Sequence, residues 1–91
     1  MSDKADASTQ RRLVELGEQL RRTRRKLGIS RAKLSERIGM HPMNYARIEQ
    51  GKQNVTVEML LRVAEGLEVE LIVKFVARRK ASEPGRRSSS G

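Results

Sequence analysis

The middle of the chain carries side chains that could read the edge of a base pair. Arg47 has a guanidinium group, which can donate two hydrogen bonds together to O6 and N7 of guanine. Met43 and Ala46 could contact the methyl group of thymine, and on a helix both would share one face with Arg47. A phosphate contact or a solvated position is the alternative for Arg47. On a helix placed in the major groove, these side chains could read duplex DNA.

The composition gives little support to an enzyme or a metal site. The chain has one histidine, His41, one tyrosine, no cysteine and no glycine-rich phosphate loop. Without cysteine there is no disulfide and no thiolate, and a single histidine lacks partner ligands for a metal ion. We therefore expect a protein without enzymatic activity, cofactor or metal.

The net charge of +9 suits a polyanion such as nucleic acid, although a basic protein without such a partner would look the same. Proteins that bind RNA or single strands usually stack bases on several aromatic side chains. Only two aromatic residues occur, Tyr45 and Phe75, so duplex DNA is favoured. No apolar run approaches the roughly 20 residues of a membrane span, and none resembles a signal peptide. We expect a cytoplasmic protein with no membrane partner.

Helix signals surround the residues that could contact DNA. Ser30 can cap a helix over residues 31–37. Gly39 permits a tight turn, and Pro42 suits the first position of a second helix over residues 42–50. A helix, a short turn and a second helix form the layout of a DNA-binding helix-turn-helix.

Two longer helices are predicted on either side of this unit. The first covers residues 8–27 and could be capped by Ser8 or Thr9, and the last covers residues 57–66 and could be capped by Thr56. The apolar residues expected in the core are Leu13, Leu16, Leu20, Leu27, Met40, Tyr45, Ile48, Leu60, Leu61, Val63, Ala64 and Leu67.

Three runs of sequence resemble, in their order and spacing, the helix-turn-helix of the Xre family, the class of phage Cro and repressor proteins. The runs are LGEQLRRTRRKLGIS, KLSERIGM and YARIEQGKQNVTVEMLLRVAEGLEV, and the resemblance covers residues 16–71. It implies an all-α fold, a compact bundle of four helices with a lambda-repressor-like helix-turn-helix. It also implies a sequence-specific regulator of transcription, in the leading interpretation a repressor that excludes polymerase from promoter DNA. Such a regulator would be bacterial and nucleoid-associated.

The resemblance makes residues 42–50 the recognition helix. Its exposed face would carry Pro42, Met43, Ala46 and Arg47 as base readers. Pro42 departs from the family, because many relatives have a polar side chain there, and His41 stands where they usually have a hydroxyl cap. The residues expected to contact DNA phosphates are Arg31, Lys33, His41, Asn44, Gln50, Lys52, Gln53 and Asn54. Asn44 could instead read adenine.

Arg31 and Lys33 also break a local rule. They occupy the first turn of a helix, where acidic residues are preferred. In the family this helix end points at the DNA backbone, so the two cations could meet a phosphate. Many relatives have a glutamine in place of Arg31, so any contact here would be ionic. Tolerated surface charge is the alternative interpretation.

Arg24 and Glu49 match a family ion pair that ties the first helix to the third. The functional interpretation is that the pair sets the position of the recognition helix. The alternative is that they are two unrelated surface charges.

The end of the predicted domain, LEVELIVKFV, follows a period of two over residues 67–76, as a strand does. A helical face fits the same residues, but their β-branched and aromatic side chains favour a strand. A lone strand would leave its edge unpaired, so we expect pairing with the same strand of a second copy, as in the HipB-like antitoxins that this layout resembles. Such a dimer would present two recognition helices roughly 34–36 Å apart to a palindromic site. The residues expected at the dimer contact are Val69, Leu71, Ile72, Val73 and Phe75.

The sequence thus divides into a flexible N-terminus (1–7), a DNA-binding domain with a dimerisation strand (8–76) and a disordered basic tail (77–91). The tail could contact phosphates, bind a toxin or be cleaved by a protease, or it could simply be solvated. Within the regulator class, one hypothesis is an antitoxin that represses its own operon and binds a toxin partner. The alternative is a stand-alone phage-type or metabolic repressor. A nonspecific nucleoid or RNA-binding protein is a further class.

Overall fold

The computed structural model describes residues 7–78 of the 91-residue chain, and this part contains four helices. The all-α class is confirmed, and each predicted helix end lies within one residue of the observed one. The predictions for residues 1–6 and 79–91 lie outside the described residues. The helices are α1 (Ala7–Lys26), α2 (Arg31–Ile38), α3 (Pro42–Glu49) and α4 (Val57–Leu67).

Local capping chemistry sets two of the helix starts as predicted. The Ser30 side chain accepts a hydrogen bond from the backbone N–H of Lys33 at 3.0 Å, and the Thr56 hydroxyl accepts one from Met59 at 3.0 Å. The capping prediction for α1 was wrong. Ser8 and Thr9 lie inside α1, which begins at Ala7, so neither occupies the position before the first helical residue where a cap must lie.

The hydrophobic core lies where α2 meets α3 and α4. Its buried members are Leu34, Ile38, Tyr45, Ile48, Val63 and Leu67, with Leu20, Ile29, Met40, Val55 and Met59 packed around them. Two leucines predicted for the core are exposed instead. Leu61 is 54% exposed because it lies about 100° around α4 from Leu60, at the edge of the apolar face, and Leu27 is 45% exposed just beyond the end of α1.

Two glycines inside helices allow close approaches that the sequence patterns did not reveal. A Cβ atom on Gly17 of α1 would overlap the backbone carbonyl oxygens of Ile48 and Glu49, so α1 packs directly on the C-terminal end of α3. Gly66 lies within α4 rather than ending it. A Cβ there would come within 2.7 Å of the Ile38 side chain of α2.

The chain beyond α4 differs from both predicted alternatives. Helix α4 ends at a left-handed residue, Glu68, whose φ is 61°, and residues 69–78 form neither a helix nor a strand. Leu67, the first residue of the predicted strand, belongs to α4. Pairing of this segment with a second copy stays a prediction, because it concerns contacts between chains. None of the helices in residues 7–78 combines the length and apolar character that crossing a membrane requires.

Candidate nucleic-acid interface

Helix α3 separates a buried face from an exposed one. Tyr45, Ile48 and Glu49 are buried, whereas Arg47 is exposed and Met43 is 64% exposed. The other residues predicted to face DNA from this helix are also accessible, in that Pro42, Asn44 and Gln50 are exposed and Ala46 is half-buried. The sequence therefore placed the two faces of α3 correctly. Whether the exposed face contacts bases stays a prediction.

His41 caps the start of α3. Its Nδ1 accepts a hydrogen bond from the backbone N–H of Met43 at 3.1 Å, and Pro42 fills the first helical position. Because Nδ1 is the acceptor, the proton of the neutral imidazole lies on Nε2, and that nitrogen is left as a donor. His41 can thus replace the hydroxyl cap and still donate to a phosphate.

A buried ion network joins the first three helices. Glu49, the last residue of α3, accepts hydrogen bonds from Arg24 of α1 at 2.6 Å (Nε to Oε2) and 3.1 Å (Nη2 to Oε1). Arg24 also donates through Nη1 to the backbone carbonyl of Ile29 at 2.8 Å. The predicted pair is therefore present, and the side chains of Glu49 and Arg24 are only 2% and 8% exposed.

Arg31 of α2 completes this network. Its Nε donates to Oε1 of Glu49 at 3.0 Å, the oxygen that Arg24 also contacts. The sequence assigned Arg31 to a DNA phosphate alone and missed this contact. Opposite charges 18 residues apart give no local signal of a contact. Arg31 had also been assigned to a phosphate, and Glu49 to Arg24. Lys33, on the same helix, is exposed and forms no ion pair within residues 7–78.

The environment of Glu49 favours its charged form. Burial raises the pKa of this carboxyl group, but the hydrogen bonds from Arg24 and Arg31 outweigh burial, so the pKa of Glu49 lies below its ordinary value. The hydrogen bond with Glu49 raises the pKa of Arg24, which stays protonated. Burial raises the pKa of Tyr45, which packs beside them. The network is therefore two cations around one buried anion at neutral pH.

The loop after α3 is anchored to α1. Gly51, with φ of 72°, lies against Val14, and its carbonyl accepts a hydrogen bond from the Gln10 side chain at 2.8 Å. Lys52 and Asn54 are exposed and Gln53 is half-buried, so the predicted phosphate contacts of this loop are accessible. Sequence analysis did not identify Gln10. No local pattern marks this residue, because its partner Gly51 lies 41 positions further along the chain.

The predicted dimerisation residues lie elsewhere. Residues 69–74 line a groove of about 570 Å³ together with residues of α1 and α4, among them Leu16 and Thr23 of α1. Leu16 and Thr23 directly precede Gly17 and Arg24, so the groove faces a side of α1 about 100° from the contact with α3. Phe75 lies just past the groove and is fully exposed. Within residues 7–78 no group of His, Cys, Asp and Glu side chains could hold a metal ion.

Comparisons with known proteins identify the same unit. The family model described as a helix-turn-helix domain matches residues 15–71, which run from the middle of α1 to the segment after α4. Among solved structures, the chain is similar to the restriction-modification controller protein C.AhdI from Aeromonas hydrophila. The two share 30% sequence identity with a TM-score of 0.64 over 66% of this chain and 91% of that chain. No curated protein matches the chain significantly.

Proposed function

Because the chain belongs to the Xre-like helix-turn-helix family, we propose that it is a repressor that binds a palindromic site in duplex DNA as a homodimer. DNA binding and transcription regulation follow from the family. The observation that carries the finer proposal is α3 itself: it exposes Arg47 on one face and is held from behind by the buried Glu49 network. A fixed helix with an exposed arginine is what direct readout in the major groove needs.

The exposed face of α3 supplies the proposed base contacts. Arg47 binds guanine through two parallel hydrogen bonds, which discriminate against a wrong base by about 1–3 kcal/mol. Met43 and Ala46 contact thymine methyl groups, and Pro42 packs against the bases without donating a hydrogen bond. Arg47 is exposed and forms no ion pair in the part of the chain that the structure describes, so its guanidinium is available.

The proposed phosphate contacts come from both sides of α3. Positive or polar side chains at the start of α2, around α3 and in the following loop orient the protein on the DNA backbone without reading sequence. These residues are Arg31, Lys33, His41, Asn44, Gln50, Lys52, Gln53 and Asn54.

The proposed dimer contact uses the segment after α4. Ile72, Val73 and Phe75 are 74%, 59% and 102% exposed, and Val69 and Leu71 line the groove beside them. A run of exposed apolar side chains on a small protein marks an interaction site. In a dimer, the apolar runs of the two copies would cover each other. The dimer would present two recognition helices roughly 34–36 Å apart.

Two kinds of repressor fit this proposal, a stand-alone controller and an antitoxin. C.AhdI is a restriction-modification controller protein, so its similarity to this chain supports a controller of transcription and adds no support for an antitoxin role. An antitoxin would use the exposed apolar segment to bind a toxin. Co-expression with the protein encoded beside it, followed by co-purification, distinguishes the two: a stable complex supports the antitoxin.

The test of the proposed function is selection of binding sites from random duplex DNA at fixed, moderate salt. We expect an enriched palindrome with half-sites about one helical turn apart. Arg47→Ala should lose affinity mainly at one base position, whereas Lys52→Ala should weaken binding to all sequences and reduce the salt slope by about one unit. Equal binding to all sequences would show a nonspecific protein instead.

A further inference from the structure

The guanidinium group of Arg31 has donors that the protein does not use. Its Nε binds Glu49 at 3.0 Å, while Nη1 and Nη2 have no hydrogen-bond partner within residues 7–78. The Arg31 side chain is 46% exposed, whereas the carboxylate it binds is 2% exposed. Arg31 therefore connects a buried anion to the protein surface.

The buried end of this connection is attached to the recognition helix. Glu49 is the last residue of α3, and Arg24 holds the same carboxylate from α1. Arg31 lies at the first position of α2, directly after the Ser30 cap. One carboxylate thus links the start of α2 to the end of α3.

We propose that Arg31 is a positioning residue that bridges a DNA phosphate and Glu49, so that contact with the DNA backbone fixes α3 at the position where Arg47 reads bases. This inference rests on the proposed function. It adds that backbone binding and base reading are coupled through one side chain. Arg31 would bind phosphate through Nη1 and Nη2 and keep its Nε contact with Glu49.

The chemistry of arginine fits this role and that of lysine does not. A guanidinium group is a rigid planar fork that can bind one anion along one edge and a second anion at another. A lysine ammonium group carries the same charge, but as a compact point on a flexible stem. Substitution by lysine therefore separates a bridging role from simple attraction between charges.

The test compares the wild type with Arg31→Lys and with a control, Arg22→Lys. Arg22 is exposed on α1, forms no ion pair in the described region and has no assigned role at the interface. Affinity is measured for the selected site and for a site changed at the base that Arg47 reads, across a range of salt. We expect Arg31→Lys to lose on the order of tenfold in affinity for the selected site, with reduced discrimination between the two sites and an unchanged salt slope. Arg22→Lys should match the wild type.

A second variant, Glu49→Gln, distinguishes bridging from simple attraction between charges, because the two predict opposite changes in affinity for DNA. Glu49→Gln removes a negative charge beneath the DNA-binding surface, so charge alone would increase affinity for DNA. Bridging requires the opposite, a lower affinity and weaker discrimination, measured well below the melting temperature of the variant. Unfolding of Arg31→Lys, Glu49→Gln and the double variant without DNA measures the contact itself.

The outcomes separate this inference from the proposed function. If the wild type selects a site and Arg31→Lys matches it in affinity and discrimination, Arg31 contributes only charge and the inference is wrong. An increase in affinity for Glu49→Gln would also overturn it, as would additive unfolding energies in the double variant. A wild type that binds no duplex DNA would overturn the proposed function and this inference together.

Discussion

Helix α1 presents two faces that are built in different ways. On one face Gly17 lets the backbone approach the end of α3, and Arg24 binds the buried Glu49. On the other face Leu16 and Thr23 border an open groove, which the apolar residues after α4 only partly cover. The first face is closed and uses charge and backbone contact, whereas the second is open and apolar.

This difference suggests a division of tasks within one small domain. Backbone contact and a two-point ion pair fix the orientation of α3, because neither can slide without losing a hydrogen bond or causing overlap. Apolar contact is less directional and tolerates exchange of partners. The closed face therefore suits the positioning of a DNA reader, and the open face suits association with another chain.

The largest expected effect is on the closed face. Glu49→Ala leaves Arg24 as a buried charge without an anionic partner, and breaking a buried pair in this way costs about 3–5 kcal/mol in the free energy of unfolding. Urea unfolding measures the loss. Glu65→Ala, an exposed glutamate on α4, is the control and should change stability by less than about 0.5 kcal/mol. Similar losses for both variants would show that the closed face has no special role.

Acid should weaken the same face. The pKa of Glu49 is lowered in the folded protein, so its ionisation contributes stability that is fully present above its unfolded pKa of about 4.3. That contribution is lost as pH falls through the lower folded pKa. The difference in stability between the wild type and Glu49→Gln should therefore be constant above about pH 5 and shrink below about pH 4. Thermal melts of both proteins from pH 3 to 7 measure it, and a constant difference throughout would contradict the assignment.

Two helical glycines, Gly17 on the closed face and Gly66 at the contact between α4 and α2, allow rigid and adaptable packing to be compared by the same substitution. Gly17→Ala places a Cβ against backbone carbonyl oxygens, which cannot rotate away, so we expect a loss of about 1–3 kcal/mol in stability. Gly66→Ala meets the ends of the Ile38 and Leu34 side chains, which can shift, and alanine favours a helix by up to about 1 kcal/mol. Its net effect should be smaller than that of Gly17→Ala. Chemical denaturation of both variants checks the order, and the reverse order would remove the distinction between rigid and adaptable packing.

The features that the sequence predicted well are those with a local physical cause. The caps Ser30 and Thr56 act within one helical turn, and the two faces of α3 follow from helical periodicity. The Arg24–Glu49 pair came from resemblance to a family, since residues 25 positions apart carry no local sign of contact.

The features that the sequence missed depend on contacts between distant segments. Gly17 has a pattern that fits an ordinary helical glycine, and only the packing of α3 shows why no side chain fits there. Arg31 was matched with DNA because its position breaks a helix preference, yet Glu49 also satisfies its charge. The residues after α4 fit two periods, and any strand pairing there would require a second chain, which local preference does not describe.

A smaller effect is expected where α4 turns toward the open face. Glu68 adopts φ of 61°, a left-handed conformation that costs a residue with a Cβ about 1–2 kcal/mol. Glu68→Gly removes this cost but adds entropy to the unfolded chain, so we expect a net gain of about 0.5–1 kcal/mol. Glu65→Gly, the same change inside α4, should instead lose about 1 kcal/mol. Thermal melting checks both signs, and a loss for Glu68→Gly would show that its side chain stabilises the turn.

The smallest effect on the folded chain, with a large effect on association, is expected on the open face. Ile72 is 74% exposed, so Ile72→Asp should change the stability of one chain by less than about 0.5 kcal/mol. In a symmetric dimer the substitution occurs twice, and burying each isoleucine contributes about 1.5–3 kcal/mol, so the dimer should weaken by roughly 100-fold or more. Sedimentation equilibrium measures the association, with circular dichroism to show that the helices remain.

Val57→Asp is the control, because Val57 is 55% exposed but does not line the groove, and aspartate suits the first turn of α4. A wild type that stays monomeric at the concentrations where it binds DNA would contradict the proposed dimer contact on the open face.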